Sequence, residues 1–235
     1  NTPQTTIIGN VHGMVVQMIS FKSVEGLTEL EKAPIAPQDA VLFGTRELDP
    51  LERELFAKSK VRNFEMSEIR EKGFEESVLE LEKKFSKLEG IHLSLDLDSF
   101  DPVLVPGIGL PVEGGFSLRE VEQLLSRMSG LKPTCLDVVE YNPSLDKGYK
   151  TADVAVRLIM YFISELAHRG NYVCSKGKKP VQIDFWASVL VAYFHASFCK
   201  VLLVVVFRPV KSFCQNYLRC YLPSSVLAAF FKQFL

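Results

Sequence analysis

Residues 91–98 constrain the fold of this chain more than any other segment, because apolar and polar side chains alternate along them without interruption. A period of two is typical of a β-strand that packs on one side. It places Asp96 and Asp98 on the same side at the carboxyl end of the strand. Two close carboxylates repel each other, and a hard divalent cation such as Mn²⁺, Mg²⁺ or Ca²⁺ would relieve that repulsion. The alternative is a polar turn at Asp101 and Pro102, with both strand aspartates solvated.

The residues that follow are typical of a strand, loop and helix unit. Residues 106–115 read Pro-Gly-Ile-Gly-Leu-Pro-Val-Glu-Gly-Gly and form a loop of turn formers. Ser117 is the predicted N-cap of the next helix, and Glu120 stands at the capping-box position three residues later. The strand with its acidic end, the glycine-rich loop and the helix therefore form one βα unit.

These two motifs together resemble the ureohydrolases, the family of the arginases and agmatinases. The matching patterns are Ser-x-Asp-x-Asp-x-x-Asp-Pro in residues 94–102 and Pro-Gly-x-Gly-x-Pro-x-x-Gly-Gly in residues 106–115. Three further segments match in the right order. Residues 1–14 are similar to the arginase substrate loop, where agmatinases differ. Residues 44–52 resemble an arginase Arg-x-x-Asp-Pro segment, and residues 136–146 resemble a strand end that carries a guanidinium-binding glutamate. Because the pair of motifs and these three segments agree over residues 1–170, the resemblance favours an arginase.

The resemblance implies a fold and an activity. We expect an α/β fold of three layers, α/β/α, with a mainly parallel sheet of the arginase/deacetylase type, incomplete at its N-terminus. The implied reaction is the hydrolysis of L-arginine to L-ornithine and urea by attack of a Mn-bound hydroxide on the guanidinium carbon, with two Mn²⁺ ions in the complete enzyme. A homo-oligomer, commonly a trimer, and a cytoplasmic or mitochondrial location are also implied.

The resemblance assigns roles to individual residues. Asp96 and Asp98 would ligate Mn²⁺, and Glu140 would hold the guanidinium through paired, charge-assisted hydrogen bonds. His12 would move protons, because an imidazole titrates near physiological pH. The amino-acid end of the substrate would be bound by Asn1, Thr6 and Asn10 at the α-carboxylate and by Asp49 and Glu52 at the α-ammonium.

Several departures from the family pattern bear on activity. Ile8 stands where arginases have a serine, and Leu110 where they have a threonine, so two hydroxyl groups are lost. Each loss of a hydrogen bond to a charged partner costs ~1.5 to 3 kcal/mol. The Gly-Gly-Asp-His and Asp-Ala-His-x-Asp motifs, which supply four of the six metal ligands in arginases, do not occur in this sequence. We therefore expect this chain alone to be inactive, with a catalytically dead binding or regulatory relative and an agmatinase-like ureohydrolase as alternatives.

Alternating elements predict a parallel sheet. Predicted strands cover residues 40–43, 91–98 and 134–139, and predicted helices cover residues 74–88, 118–128 and 152–168. Ligands of such sheets bind at the carboxyl ends of the strands. Asp96, Asp98 and Glu140 all fall at such ends.

The sequence predicts two regions, residues 1–170 as the C-terminal portion of an arginase-like catalytic domain and residues 171–235 as an atypical tail. The tail has one acidic residue against eight basic ones and four of the five cysteines. Residues 185–207 are apolar enough and long enough to cross a bilayer, so a membrane anchor is one interpretation. We favour the other, unselected read-through translation. Nucleic-acid binding is not indicated, because the basic residues are interleaved with apolar ones.

Overall fold

The computed structural model describes residues 1–7, 9, 11–20, 35–88, 90–131, 133–169 and 202–205. The strands are β1 (Ala40–Thr45), β2 (Arg62–Glu65), β3 (Ile91–Asp96), β4 (Pro133–Val139) and β5 (Leu202–Val205). The α-helices are α1 (Val15–Ser20), α2 (Pro50–Lys58), α3 (Met66–Lys72), α4 (Phe74–Phe85), α5 (Leu118–Ser129) and α6 (Lys150–His168). Short 3-10 turns cover Val11–Met14, Pro37–Asp39 and Leu97–Ser99.

The five strands form one sheet in the order β2-β1-β5-β3-β4. β1 runs parallel to β2, and β3 runs parallel to β4. β5 lies between these pairs and is antiparallel to both β1 and β3. The predicted α/β fold is confirmed, and its two parallel pairs meet through a strand that comes from the region predicted as a tail.

An aromatic cluster fixes the end of β1 against the start of α5. The ring of Phe43 stacks on that of Phe116 with centroids 5.6 Å apart and lies 5.3 Å from that of Phe64. Gly44 follows with a φ of +91°, and a Cβ added there would lie 2.2 Å from the Cε2 atom of Phe116. Glycine is therefore required at this position both by the backbone and by the ring.

The six predicted elements are all present, with shifted ends. β3 ends at Asp96, two residues before the predicted end, because Leu97–Ser99 form a 3-10 turn. The side chain of Asp96 accepts a hydrogen bond from the backbone N–H of Asp98 at 3.3 Å and so caps that turn. The expectation that a strand period places Asp96 and Asp98 on one side was therefore wrong.

The predicted capping box is confirmed. Ser117 accepts a hydrogen bond from the backbone N–H of Glu120 at 3.3 Å, and the Glu120 carboxylate accepts one from the backbone N–H of Ser117 at 2.8 Å. Arg70 of α3 donates to Glu120 and, at 3.2 Å, to the carbonyl of Gly115. The capping box thus joins α5, α3 and the glycine-rich loop.

The candidate membrane span, residues 185–207, lies outside the described residues except for Leu202–Val205, which form β5. Among the helices that the structure describes, none is both long and apolar enough to cross a bilayer.

Candidate active site

The two aspartates at the end of β3 are buried. Asp96 is 9% exposed and Asp98 is 4% exposed. Burial raises the pKa of Asp96 well above its usual value, and the nearby charges of Asp98 and Glu140 raise it further. The aspartates are therefore not the solvated side chains of a polar turn. A bound cation would offset the cost of keeping both ionised in this position.

Glu140 follows directly after β4 and lies at the same edge of the sheet. In the parallel pairing of β3 and β4, Asp96 lies opposite Val139, the residue before Glu140. The backbone of Glu140 has a φ of +65°, in the left-handed region that residues with a Cβ rarely adopt. The structure therefore brings together Asp96 at the end of β3, Asp98 in the turn that follows it and Glu140 directly after β4.

Arg46 braces the turn that carries Asp98, and sequence reasoning gave it no role. It leaves the carboxyl end of β1 and donates hydrogen bonds to the backbone carbonyls of Asp98 and Ser99, the second at 2.8 Å. Burial lowers the pKa of Arg46, although the charges of Asp98 and Asp96 oppose that shift. Arg46 supplies positive charge beside the aspartates, but it is engaged with backbone oxygens. Its position in the matched segment 44–52 was the only signal in the sequence.

Three of the residues predicted to bind the amino-acid end of the substrate, Asn1, Asp49 and Glu52, lie in contact with one another. The α-ammonium of Asn1 donates to the Glu52 carboxylate at 2.7 Å, and both groups are almost fully buried. The side-chain amide of Asn1 donates to Asp49 at 3.1 Å. Asp49 and Glu52 are thus both in contact with Asn1.

Thr6 is the other residue predicted to bind the amino-acid end that the structure describes. The hydroxyl of Thr6 accepts a hydrogen bond from the backbone N–H of Gly9 at 3.0 Å. His12 belongs to the 3-10 turn Val11–Met14, and its side chain lies outside the description. Asn10 and Ile8 are also outside the described residues.

A second ionic pair joins β3 to β4 on the amino-terminal side of Asp96. The His92 ring lies 2.7 Å from the carboxylate of Asp137, and each side chain is about a quarter exposed. Burial by itself would lower the pKa of His92, but the hydrogen bond to Asp137 and its negative charge outweigh that effect, and the pKa rises to about 10. The imidazole is therefore a cation at neutral pH.

The donor set fits a hard cation only in part. Asp96 and Asp98 offer carboxylate oxygens, which suit Mn²⁺. Within the part of the chain that the structure describes, no three His, Cys, Asp or Glu side chains are grouped to hold a metal ion. The described residues therefore supply two candidate ligands and not a complete coordination shell.

Comparison with known proteins identifies the family. The model of the Arginase family matches residues 1–164. The chain belongs to the arginase family. It is 36% identical to an arginase of Staphylococcus aureus over 169 residues, which are 70% of this chain and 56% of that protein. It is 39% identical to an arginase of Bacillus subtilis over 163 residues, which are 68% of this chain and 55% of that protein.

Solved arginase structures have the same fold. The crystal structure of the Bacillus subtilis arginase superposes with a TM-score of 0.64 at 37% identity, over 69% of this chain and 59% of that chain. The Entamoeba histolytica arginase, solved in complex with L-ornithine, superposes with a TM-score of 0.61 at 31% identity, over 71% of this chain and 55% of that chain. The predicted family and the arginase-type α/β fold are confirmed. The chain spans a little over half the length of the curated arginases that it matches.

Proposed function

We propose that this chain carries part of the active site of a manganese-dependent arginase, which hydrolyses L-arginine to L-ornithine and urea. The observation that supports this most is the convergence of Asp96, Asp98 and Glu140 at neighbouring strand ends, where burial and like charge raise the pKa of Asp96. Such a cluster favours binding of cations, and the proposed ligands, Mn²⁺ and a guanidinium group, are both cationic.

In the proposed site, Asp96 and Asp98 hold Mn²⁺. A bound metal ion of this kind supplies a water molecule of lowered pKa near neutral pH. Arg46 contributes indirectly, because its two hydrogen bonds fix the backbone of Asp98 and Ser99. The carboxylate of Asp98 can then approach a cation without a large rearrangement of the turn.

Glu140 would bind the guanidinium of the substrate. A carboxylate accepts two parallel N–H hydrogen bonds from this planar cation and so fixes its orientation. Its closeness to Asp96 would place the guanidinium carbon beside the metal-binding carboxylates. His12 would protonate the departing amine, a role that its residue type allows.

The amino-acid end of the substrate would lie at Asn1, Thr6, Asn10, Asp49 and Glu52. The side-chain amide of Asn1 donates to Asp49 at 3.1 Å and to Glu52 at 3.4 Å, and the proximity of these three residues supports the assignment. The Entamoeba histolytica relative was solved with L-ornithine, which carries the same α-ammonium and α-carboxylate groups.

We further propose that this chain alone does not turn over L-arginine. Two carboxylates do not complete the shells of two Mn²⁺ ions, and the described residues bring together no third ligand. The alternative is a binding or regulatory relative that holds a basic amino acid without hydrolysing it.

Manganese titration of the purified chain tests the metal assignment. We expect Asp96→Asn and Asp98→Asn to weaken Mn²⁺ binding in calorimetry or EPR. The matched control is Asp153→Asn, the same substitution on the exposed face of α6, and it should bind Mn²⁺ like the wild type. Equal Mn²⁺ binding by all four proteins would contradict the metal role of the strand-end aspartates.

Ligand binding and urea release separate the candidate functions. If L-arginine binds to the chain, if Glu140→Gln weakens that binding, and if no urea is released, the result supports an incomplete or regulatory site. Urea release from the wild-type chain would contradict its proposed inactivity. Tighter binding of agmatine than of L-arginine would favour the agmatinase alternative, since agmatine lacks the α-carboxylate.

A further inference from the structure

The loop between β4 and α6, residues 140–149, begins and ends on a strained residue. Glu140 has a φ of +65° and Tyr149 a φ of +58°. Among the described residues, these are the only two other than glycine that have a positive φ. Such conformations persist when the surrounding structure over-determines them, and they cluster at binding and catalytic sites.

Asp146 lies at the centre of this 140–149 loop and is 7% exposed. One carboxylate oxygen accepts the backbone N–H of Thr151 at 3.0 Å. The other accepts the backbone N–H of Ala152 at 3.0 Å and the hydroxyl of Tyr141 at 3.1 Å. Burial would raise the pKa of Asp146, but these hydrogen bonds lower it. The ionised carboxylate thus ties the first turn of α6 to the residue that follows Glu140.

The same group of residues anchors the glycine-rich loop. The hydroxyl of Thr151, which is fully buried, accepts the backbone N–H of Gly107 at 2.7 Å. The backbone N–H of Asn142 donates to the carbonyl of Gly107 at 2.8 Å. A Cβ added at Gly107 would lie 2.5 Å from the Cβ of Asp146, so the two loops are in direct contact. The 140–149 loop is therefore held from both sides.

We propose that Asp146 is a positioning residue that keeps Glu140 in its left-handed conformation, acting through Tyr141, and so fixes the Glu140 carboxylate beside Asp96. The inference deepens the proposed function and rests on it for the identity of the guanidinium ligand. Its competitor is a purely structural role, in which Asp146 caps α6 and the end of β4 alone sets the backbone of Glu140.

Glycine and alanine at position 140 report the strain directly. Glu140→Gly and Glu140→Ala both remove the carboxylate, and they differ by the Cβ that opposes a positive φ. In the otherwise wild-type chain we expect the glycine variant to have the smaller unfolding equilibrium constant, by roughly 5- to 30-fold. The quantity to follow is the ratio of the unfolding equilibrium constant of the Glu140→Ala variant to that of the Glu140→Gly variant. When Asp146→Asn or Tyr141→Phe is added to both variants, this ratio should fall towards one or below it, because a released loop no longer imposes the positive φ.

Ser117→Ala is the matched control, since it removes a side-chain cap from α5 rather than α6. It should destabilise the chain and leave the ratio of the unfolding equilibrium constants of the Glu140→Ala and Glu140→Gly variants unchanged. If Asp146→Asn does not fold, Tyr141→Phe still gives the test, because it removes one hydroxyl. The positioning role would be overturned if the ratio does not change when Tyr141→Phe is added, and does not change with Asp146→Asn if that variant folds.

Calorimetric titration of the full chain with L-arginine tests the functional consequence separately. We expect Asp146→Asn and Tyr141→Phe to weaken L-arginine binding at least several-fold and Ser117→Ala to leave it unchanged. Undiminished binding in both loop variants would overturn the consequence for Glu140. A wild-type chain that binds no L-arginine would refute the guanidinium assignment, while the comparison of glycine with alanine would still decide the conformational role.

Discussion

Replacement of Gly44 by alanine tests the packing that sets the end of β1 and hence Arg46. Two penalties act at this position. The positive φ of +91° disfavours any residue with a Cβ, at a cost of about 1 to 3 kcal/mol. The Cβ would also lie 2.2 Å from the Phe116 ring, and overpacking of a buried core typically costs about 1 to 3 kcal/mol more. We therefore expect Gly44→Ala to reduce the free energy of unfolding by roughly 2 to 6 kcal/mol.

Urea denaturation measures this loss, and Gly73→Ala provides a control. Gly73 has a φ of +100°, but a Cβ there would meet no atom within 4 Å. Gly73→Ala should therefore show only the backbone penalty. The two penalties are separated further in a Phe116→Leu background, where a smaller side chain relieves the contact and Gly44→Ala should cost less than in the wild type.

If Gly44→Ala and Gly73→Ala destabilise the chain equally, and if Phe116→Leu does not change the cost of Gly44→Ala, then the contact with the ring does not constrain β1. The aromatic cluster would then not be what fixes the approach of Arg46 to the turn.

Three further outcomes are expected. Arg46→Met should lower the free energy of unfolding by about 1.5 to 3 kcal/mol or more, because two backbone carbonyls lose a charged donor, and should speed amide exchange at Asp98; unchanged exchange there would contradict the bracing role. The folded-state pKa of His92 is about 10, above its value of about 6.5 in an unfolded chain, so its contribution to stability is complete below about pH 6.5 and is lost as the pH rises towards 10. Asp137→Asn should flatten that part of the stability profile, and an unaltered profile would refute the pairing. Ser117→Ala should cost about 1 kcal/mol in urea denaturation, and no loss would argue against the capping box.

Much of the fold was predictable where the local pattern was strong. β3 alternates clearly between apolar and polar positions, and α5 carries a capping box, so both were located from the sequence. β2 was missed because only Phe64 of its four residues is buried, which leaves no alternation to detect. α2 and α3 were missed as well, and β5 lies in a segment that was interpreted as read-through translation, with a membrane span as the alternative.

The candidate site was predictable for the side chains at strand ends and less so for what supports them. Asp96 and Glu140 were located because parallel strands end at a common edge, and Asp98 follows Asp96 in the next turn. Arg46 was missed because its acceptors are backbone carbonyls more than fifty positions away, which no residue pattern reveals. The turn at Asp98 was missed because it depends on a hydrogen bond from a backbone amide to the preceding aspartate.

The antiparallel strand β5 determines when the sheet can become continuous during folding. Val205 lies opposite both Ala40 of β1 and His92 of β3, so the central pairings join parts of the chain that are far apart in sequence. Closing such long loops costs conformational entropy before any contact compensates it, whereas β1 with β2 and β3 with β4 are separated by much shorter connections. We therefore expect the two parallel pairs to form early and to remain separate until β5 docks, which leaves their facing edges open to association with other chains in the meantime.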